Sequence, residues 1–116
     1  MQVMVTDCYE EKDQKVFSEG MAKVEDAAKA KFSKSFMDIT PEERTTLFNE
    51  INKELKSYNE QKKENDPNHY FAMMKQLTLL GYFTSEIGAT KALRYVAVPG
   101  KYEGCIPYQK GDRAWA

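Results

Sequence analysis

The strongest constraint on this chain is the spacing of its apolar residues, which is helical as far as about Tyr95 and not beyond. Phe17, Met21, Val24 and Ala28 are separated by four, three and four residues, which places them along one face of a helix. Lys12, Lys15, Glu19, Lys23 and Asp26 fall on the opposite face, open to water. The spacing predicts a helix from about Glu11 to Lys31. Gly20 lies beside the stripe. It weakens a helix by about 1 kcal/mol relative to alanine, but it permits close approach of a neighbouring element.

Ser33 to Ile39 reads as a connection pinned to the core by Phe36 and Ile39. Thr40-Pro41-Glu42-Glu43 is the clearest local signal in the chain. Thr40 caps free amides, Pro41 suits the first helical position, and Glu43 stands where a capping box needs it. A second helix follows, with Leu47, Phe48, Ile51, Leu55 and Tyr58 as its inner face. Gln61 to Asp66 is polar and reads as a solvated turn. Asp66-Pro67 repeats the cap-then-proline start. The third helix carries Tyr70, Phe71, Met74, Leu77, Thr78 and Leu80, with Gly81 as its stop. It is apolar around most of its circumference, which predicts a place at the centre of a bundle.

Thr84 or Ser85 caps a short fourth helix with Glu86 in its first turn. Gly88, Ala89 and Ala92 are its small residues, and Arg94 stands at its negative end. After Tyr95, Val96, Val98, Pro99, Gly100, Gly104, Pro107 and Gly111 forbid a long helix. Tyr95 to Val98 is expected to be extended. The fold class is therefore all-α: a small bundle of about four helices, one domain over residues 1–116, with residues 96–116 as an irregular, ordered tail. Met1, Val3, Met4 and Val5 read as the tail of a buried element, so a chain trimmed at its N-terminus is expected.

Several functions are disfavoured by composition. A net charge of -1 supplies no field toward nucleic acid or an anionic membrane. No window reaches the roughly 18 apolar residues of a membrane span. Two cysteines, Cys8 and Cys105, sit near opposite ends and outside any CxxC pair, which argues against a zinc or thioredoxin-type site. Either they are buried reduced thiols, or they form a disulfide worth roughly 4 to 5 kcal/mol in the chain-entropy model.

Residues able to carry catalysis are scarce. His69 is the single histidine and reads as structural. Nucleophile-elbow, phosphate-loop and dinucleotide spacings are missing. Glu10-Glu11 and Glu42-Glu43 are adjacent, so on a helix they diverge by about 100°. Met73-Met74 without CxxCH reads as core packing, not a haem ligand. No catalytic, cofactor-binding or metal residue is assigned. What stands out is the aromatic load: Tyr70, Phe71, Tyr82, Phe83, Tyr95, Tyr102, Tyr108 and Trp115 all fall in the last 47 residues. These side chains either fasten the tail to the chain's own helices or project outward as anchors for a partner.

The segment Leu79-Leu80-Gly81-Tyr82-Phe83-Thr84-Ser85-Glu86-Ile87-Gly88-Ala89-Thr90 resembles subunit 3 of the gluconate 2-dehydrogenase family. So do Ala92 to Cys105 and the closing Gly111-Asp112-Arg113-Ala114-Trp115-Ala116. From Asp7-Cys8-Tyr9 to Thr40-Pro41-Glu42-Glu43 the likeness is looser, with the same order of elements. The resemblance implies a non-catalytic small subunit that assists maturation, export or stability of a large flavin-dependent dehydrogenase of the glucose–methanol–choline type. FAD and haem are then expected in the partners, the large subunit and in many cases a cytochrome c subunit, and no cofactor is expected in this chain. It also implies a periplasmic location reached by twin-arginine export, although this sequence shows no export signal. That location puts a Cys8–Cys105 bond and free thiols on an equal footing. The candidate partner interface comprises Tyr82, Phe83, Glu86, Tyr95, Tyr102 and Trp115. The competing reading is a free-standing helical module that binds a small molecule or metal near Met73, Met74 and the tyrosines.

Overall fold

Helical periodicity and caps produce four helices and one further turn. α1 spans Gln2–Cys8, α2 Glu11–Phe32, α3 Pro41–Gln61 and α4 Tyr70–Phe83, followed by a π-helical turn at Gly88–Ala92. The computed structural model describes residues 2–64, 66–98 and 100–115. Met1, Pro99 and Ala116, used in the reading above, lie outside the described residues. The chain forms two compact units, Met1–Gln76 and Leu77–Ala116. The boundary falls inside α4.

In the first unit, α2 opens with Glu11 and Asp13 and closes with Lys29 and Lys31, both favoured by the helix dipole. It stops at Ser33, which takes a left-handed φ of 55° while its N–H bonds to the Lys29 carbonyl. The buried stripe is Phe17, Gly20, Val24 and Ala28. Met21, expected in that stripe, is exposed, and Gly20 takes its place. A Cβ at Gly20 would lie 2.4 Å from Tyr70 Cβ. The missing side chain is what lets Tyr70 pack against α2.

The connection behaves as expected. Ile39 is buried, and Phe36 packs against the core. The Phe36 N–H donates to Glu25 Oε2 at 3.0 Å, and this bond holds the Glu25 carboxyl below its ordinary pKa of 4.5. Arg44 lies over the Phe36 ring at 5.3 Å and donates to the Met37 carbonyl at 2.8 Å. The capping box of α3 is complete: the Glu43 N–H donates to Thr40 Oγ1, and the Thr40 N–H donates to Glu43 Oε2. Leu47, Ile51 and Leu55 are the buried face of α3. Phe48 stacks between Phe36 and Phe71, with centroids 5.4 Å from each. Among the described residues these side chains, with Val24, Ala28, Ile39, Tyr70 and Phe71, form the core.

The start of α4 departs from expectation. Asp66-Pro67 does not open it, because the Asp66 carboxylate turns back to accept from the Lys63 N–H at 2.9 Å. His69 takes over the capping role: its Nδ1 accepts from the Phe71 N–H at 3.2 Å. Tyr58 donates its hydroxyl to the Pro67 carbonyl at 2.8 Å and fixes the approach. α1 was not foreseen as a helix. Gln14 Nε2 satisfies carbonyls near its end, donating to Thr6 at 3.0 Å and Tyr9 at 2.8 Å. α1 buries none of its residues, and Val3 and Met4 are exposed.

In the second unit, α4 runs through Gly81, the expected stop, to Phe83. Ser85 closes it instead, with its hydroxyl donating to the Tyr82 carbonyl at 2.6 Å. The same oxygen accepts from the Gly88 N–H at 3.1 Å and so caps the next turn. That turn is wider than an α-helix: the Leu93 N–H reaches the Gly88 carbonyl, five residues back. A Cβ at Gly88 would stand 1.9 Å from the Tyr82 carbonyl oxygen, so only glycine fits. From Tyr95 to Ala114 the described residues form no helix or strand, as the glycines and prolines dictate.

Candidate partner interface

The candidate interface is built from the second unit's own residues. Leu79, Leu80, Tyr82 and Phe83 on α4, and Ile87 beyond it, are all exposed. α4 was expected at the centre of a bundle, but only Tyr70, Phe71, Met73 and Leu77 along it are buried. Helical spacing alone does not say what packs opposite each face. Tyr82 and Phe83 lie edge to face with centroids 5.1 Å apart, a favourable arrangement for aromatic rings. Glu86 is exposed beside them.

The tail carries the rest. Tyr95, Val96, Val98, Tyr102, Ile106, Tyr108 and Trp115 are exposed. Every residue of the expected set, Tyr82, Phe83, Glu86, Tyr95, Tyr102 and Trp115, is therefore solvent-facing, and all six fall in this unit. Tyr70 and Phe71 are buried, whereas these six are exposed. Sequence reasoning missed Leu79, Ile87, Val96, Val98 and Ile106. The available signal was the scarcity of charge: residues 77–116 contain five Lys or Arg and three Asp or Glu.

Two arginines organise the base of the tail. Arg94 stacks over the Trp115 ring at 4.5 Å, and its N–H donates to the Ala114 carbonyl at 2.8 Å. Arg113 donates through one nitrogen to the Thr90 and Lys91 carbonyls at 3.0 and 2.7 Å. Arg113, not Arg94, is thus the cation that answers the end of the turn. Lys101 pairs with Glu103 at 2.7 Å.

His69 is buried, its Nδ1 engaged by Phe71 and its Nε2 3.5 Å from Glu54 Oε1. Met73 is buried, and Met74 packs against the core. Cys8 and Cys105 are free thiols, and both are exposed. Among the described residues no group of three or more His, Cys, Asp or Glu gathers as a metal site, and no helix is long and apolar enough to cross a membrane.

The protein-family model described as gluconate 2-dehydrogenase subunit 3 matches residues 1–100. No curated protein and no solved structure matches the chain.

Proposed function

The chain belongs to the gluconate 2-dehydrogenase subunit 3 family, and from that premise we propose that it is the non-catalytic small subunit of a flavin-dependent dehydrogenase complex. It binds the large catalytic subunit and assists its maturation, export or stability. The observation that carries this reading is the concentration of exposed aromatic and aliphatic side chains in a charge-poor unit. Monomeric proteins rarely expose contiguous apolar patches beyond a few hundred Å², and tyrosine and tryptophan are favoured anchors at interfaces.

The flavin, and haem where a cytochrome c subunit is present, belong to the partners. The one histidine has its Nδ1 committed to a backbone amide and its Nε2 facing a carboxylate. The working compartment is the periplasm.

The mechanism is thermodynamic. A subunit that binds only the folded catalytic partner stabilises it by mass action, by about 2.7 kcal/mol at a concentration one hundred times Kd. Co-expression of the catalytic subunit with and without this chain tests the proposal. Lower yield, activity and export are expected without it, and equal values in both cases would defeat the reading.

A further inference from the structure

We propose that the described residues of 95–98 and 100–112 form a pre-organised arm, pinned at its base by Arg94, Arg113 and Trp115, that seats in an apolar groove of the catalytic subunit. The inference rests on the accessory reading above and names the part of the surface that engages.

The two ends of the segment are held together. The Arg94 N–H bonds to the Ala114 carbonyl, Arg94 stacks on Trp115, and the two residues form a parallel bridge. Arg113 ties the returning segment to the turn through the Thr90 and Lys91 carbonyls. The Gln109 N–H donates to Asp112 Oδ2 and the Asp112 N–H donates to the Gln109 carbonyl, at 3.0 Å each, which shapes the return. Gly111 supplies the left-handed φ of 101° that the return requires. Ordering a loop before it binds removes part of the entropy lost on association.

What this loop presents is apolar. Tyr102 is 95% exposed, Val98 82%, Tyr108 73%, Tyr95 58% and Trp115 53%. With about 150–250 Å² per aromatic side chain, the four aromatics offer roughly 400–700 Å². Val96, Val98 and Ile106 bring this near the ~800 Å² per partner of a standard interface. The charges of the segment are largely answered from within. Lys101 pairs with Glu103, Asp112 holds the Gln109 amide, and Arg113 is spent on two carbonyls. Lys110 is the remaining one. Recognition therefore falls to the apolar side chains, and the complementary surface is an apolar groove, not an acidic patch. Membership of a family of dehydrogenase subunits makes the catalytic subunit the occupant.

The test uses the full chain co-expressed with the catalytic subunit, isolated through a tag on the latter, with dissociation followed over time. The combined Val98→Ser, Tyr102→Ser and Tyr108→Ser variant should shorten the life of the complex at least tenfold. The thermal midpoint of the free chain should not change, because none of these side chains is buried. Arg113→Ala should shorten it several-fold by loosening the base while every apolar contact group stays in place. If the unaltered chain is retained and the triple variant is retained equally well, the arm is not the contact and the proposal fails, while the accessory reading stands. If the unaltered chain is not retained, both fall. If the triple variant abolishes only self-association of the free chain, the arm pairs with a second copy and the proposal is overturned.

Discussion

Tyr70 and Phe71 at one end of α4 are buried, whereas Tyr82 and Phe83 at the other end of the same helix are exposed. The chemistry is the same and the neighbours differ. In the first unit, Gly20 opens room for Tyr70, and Phe48 meets Phe71. Its surface is dressed with twelve Lys or Arg and fifteen Asp or Glu in 76 residues. The second unit has eight charged residues in 40 and leaves most of its aromatics in water. One unit spends its apolar side chains on its own fold, and the other leaves them exposed, where the proposed function gives them to a partner. An isolated helix pattern cannot separate those uses, but charge density around the pattern can.

The sharpest way to break this contrast is to truncate one side chain in each unit. Leu47→Ala, in the core, should lower stability by about 2–5 kcal/mol. Tyr108→Ala, in the tail, should stay within about 0.5 kcal/mol. Chemical denaturation of the free chain measures both, and similar losses would show that the tail is part of the fold.

Gly20→Ala is the next largest. Alanine gains about 1 kcal/mol in helix propensity, but the new methyl meets the Tyr70 Cβ at 2.4 Å, an atom that cannot swing away. The clash should win, with a net loss of about 1–3 kcal/mol. Thr40→Ala removes one half of the capping box and should cost about 1 kcal/mol. Gly81→Ala runs the other way. Nothing lies within 4 Å of a Cβ there, so the variant should be more stable by up to ~1 kcal/mol. The three variants separate a glycine needed for packing from one that is merely tolerated, and thermal unfolding ranks them.

The pH profile of unfolding gives the smallest signal. Burial raises the Tyr70 phenol above its ordinary 10.0, so its contribution is complete below pH 10 and is lost as pH rises beyond that. The Phe36 amide lowers the Glu25 carboxyl below 4.5, so its contribution is present above that pH and is lost as pH falls. Tyr70→Phe should flatten the alkaline limb and Glu25→Gln the acid limb.

Much of the first unit is legible in the sequence because local rules decide it. The limits of α2 and the cap of α3 follow from charge and hydrogen-bond chemistry within a few residues. The start of α4 was not legible, because Asp66 has two amides to choose from and the choice depends on where Tyr58 holds Pro67. The continuation through Gly81 was not legible either, because Ser85 supplies the stop from outside the pattern. For the candidate interface, the residue types were readable but their exposure was not. The pinning of the tail by Arg113 joins residues more than twenty positions apart, beyond the reach of any local signal.

Hydrogen–deuterium exchange of the full chain, free and bound to the catalytic subunit, tests the division between the two units most directly. New protection confined to residues 77–115, with α2 and α3 unchanged, is the expected result. Protection gained mainly along α2 and α3, with the tail exchanging as freely as before, would contradict it.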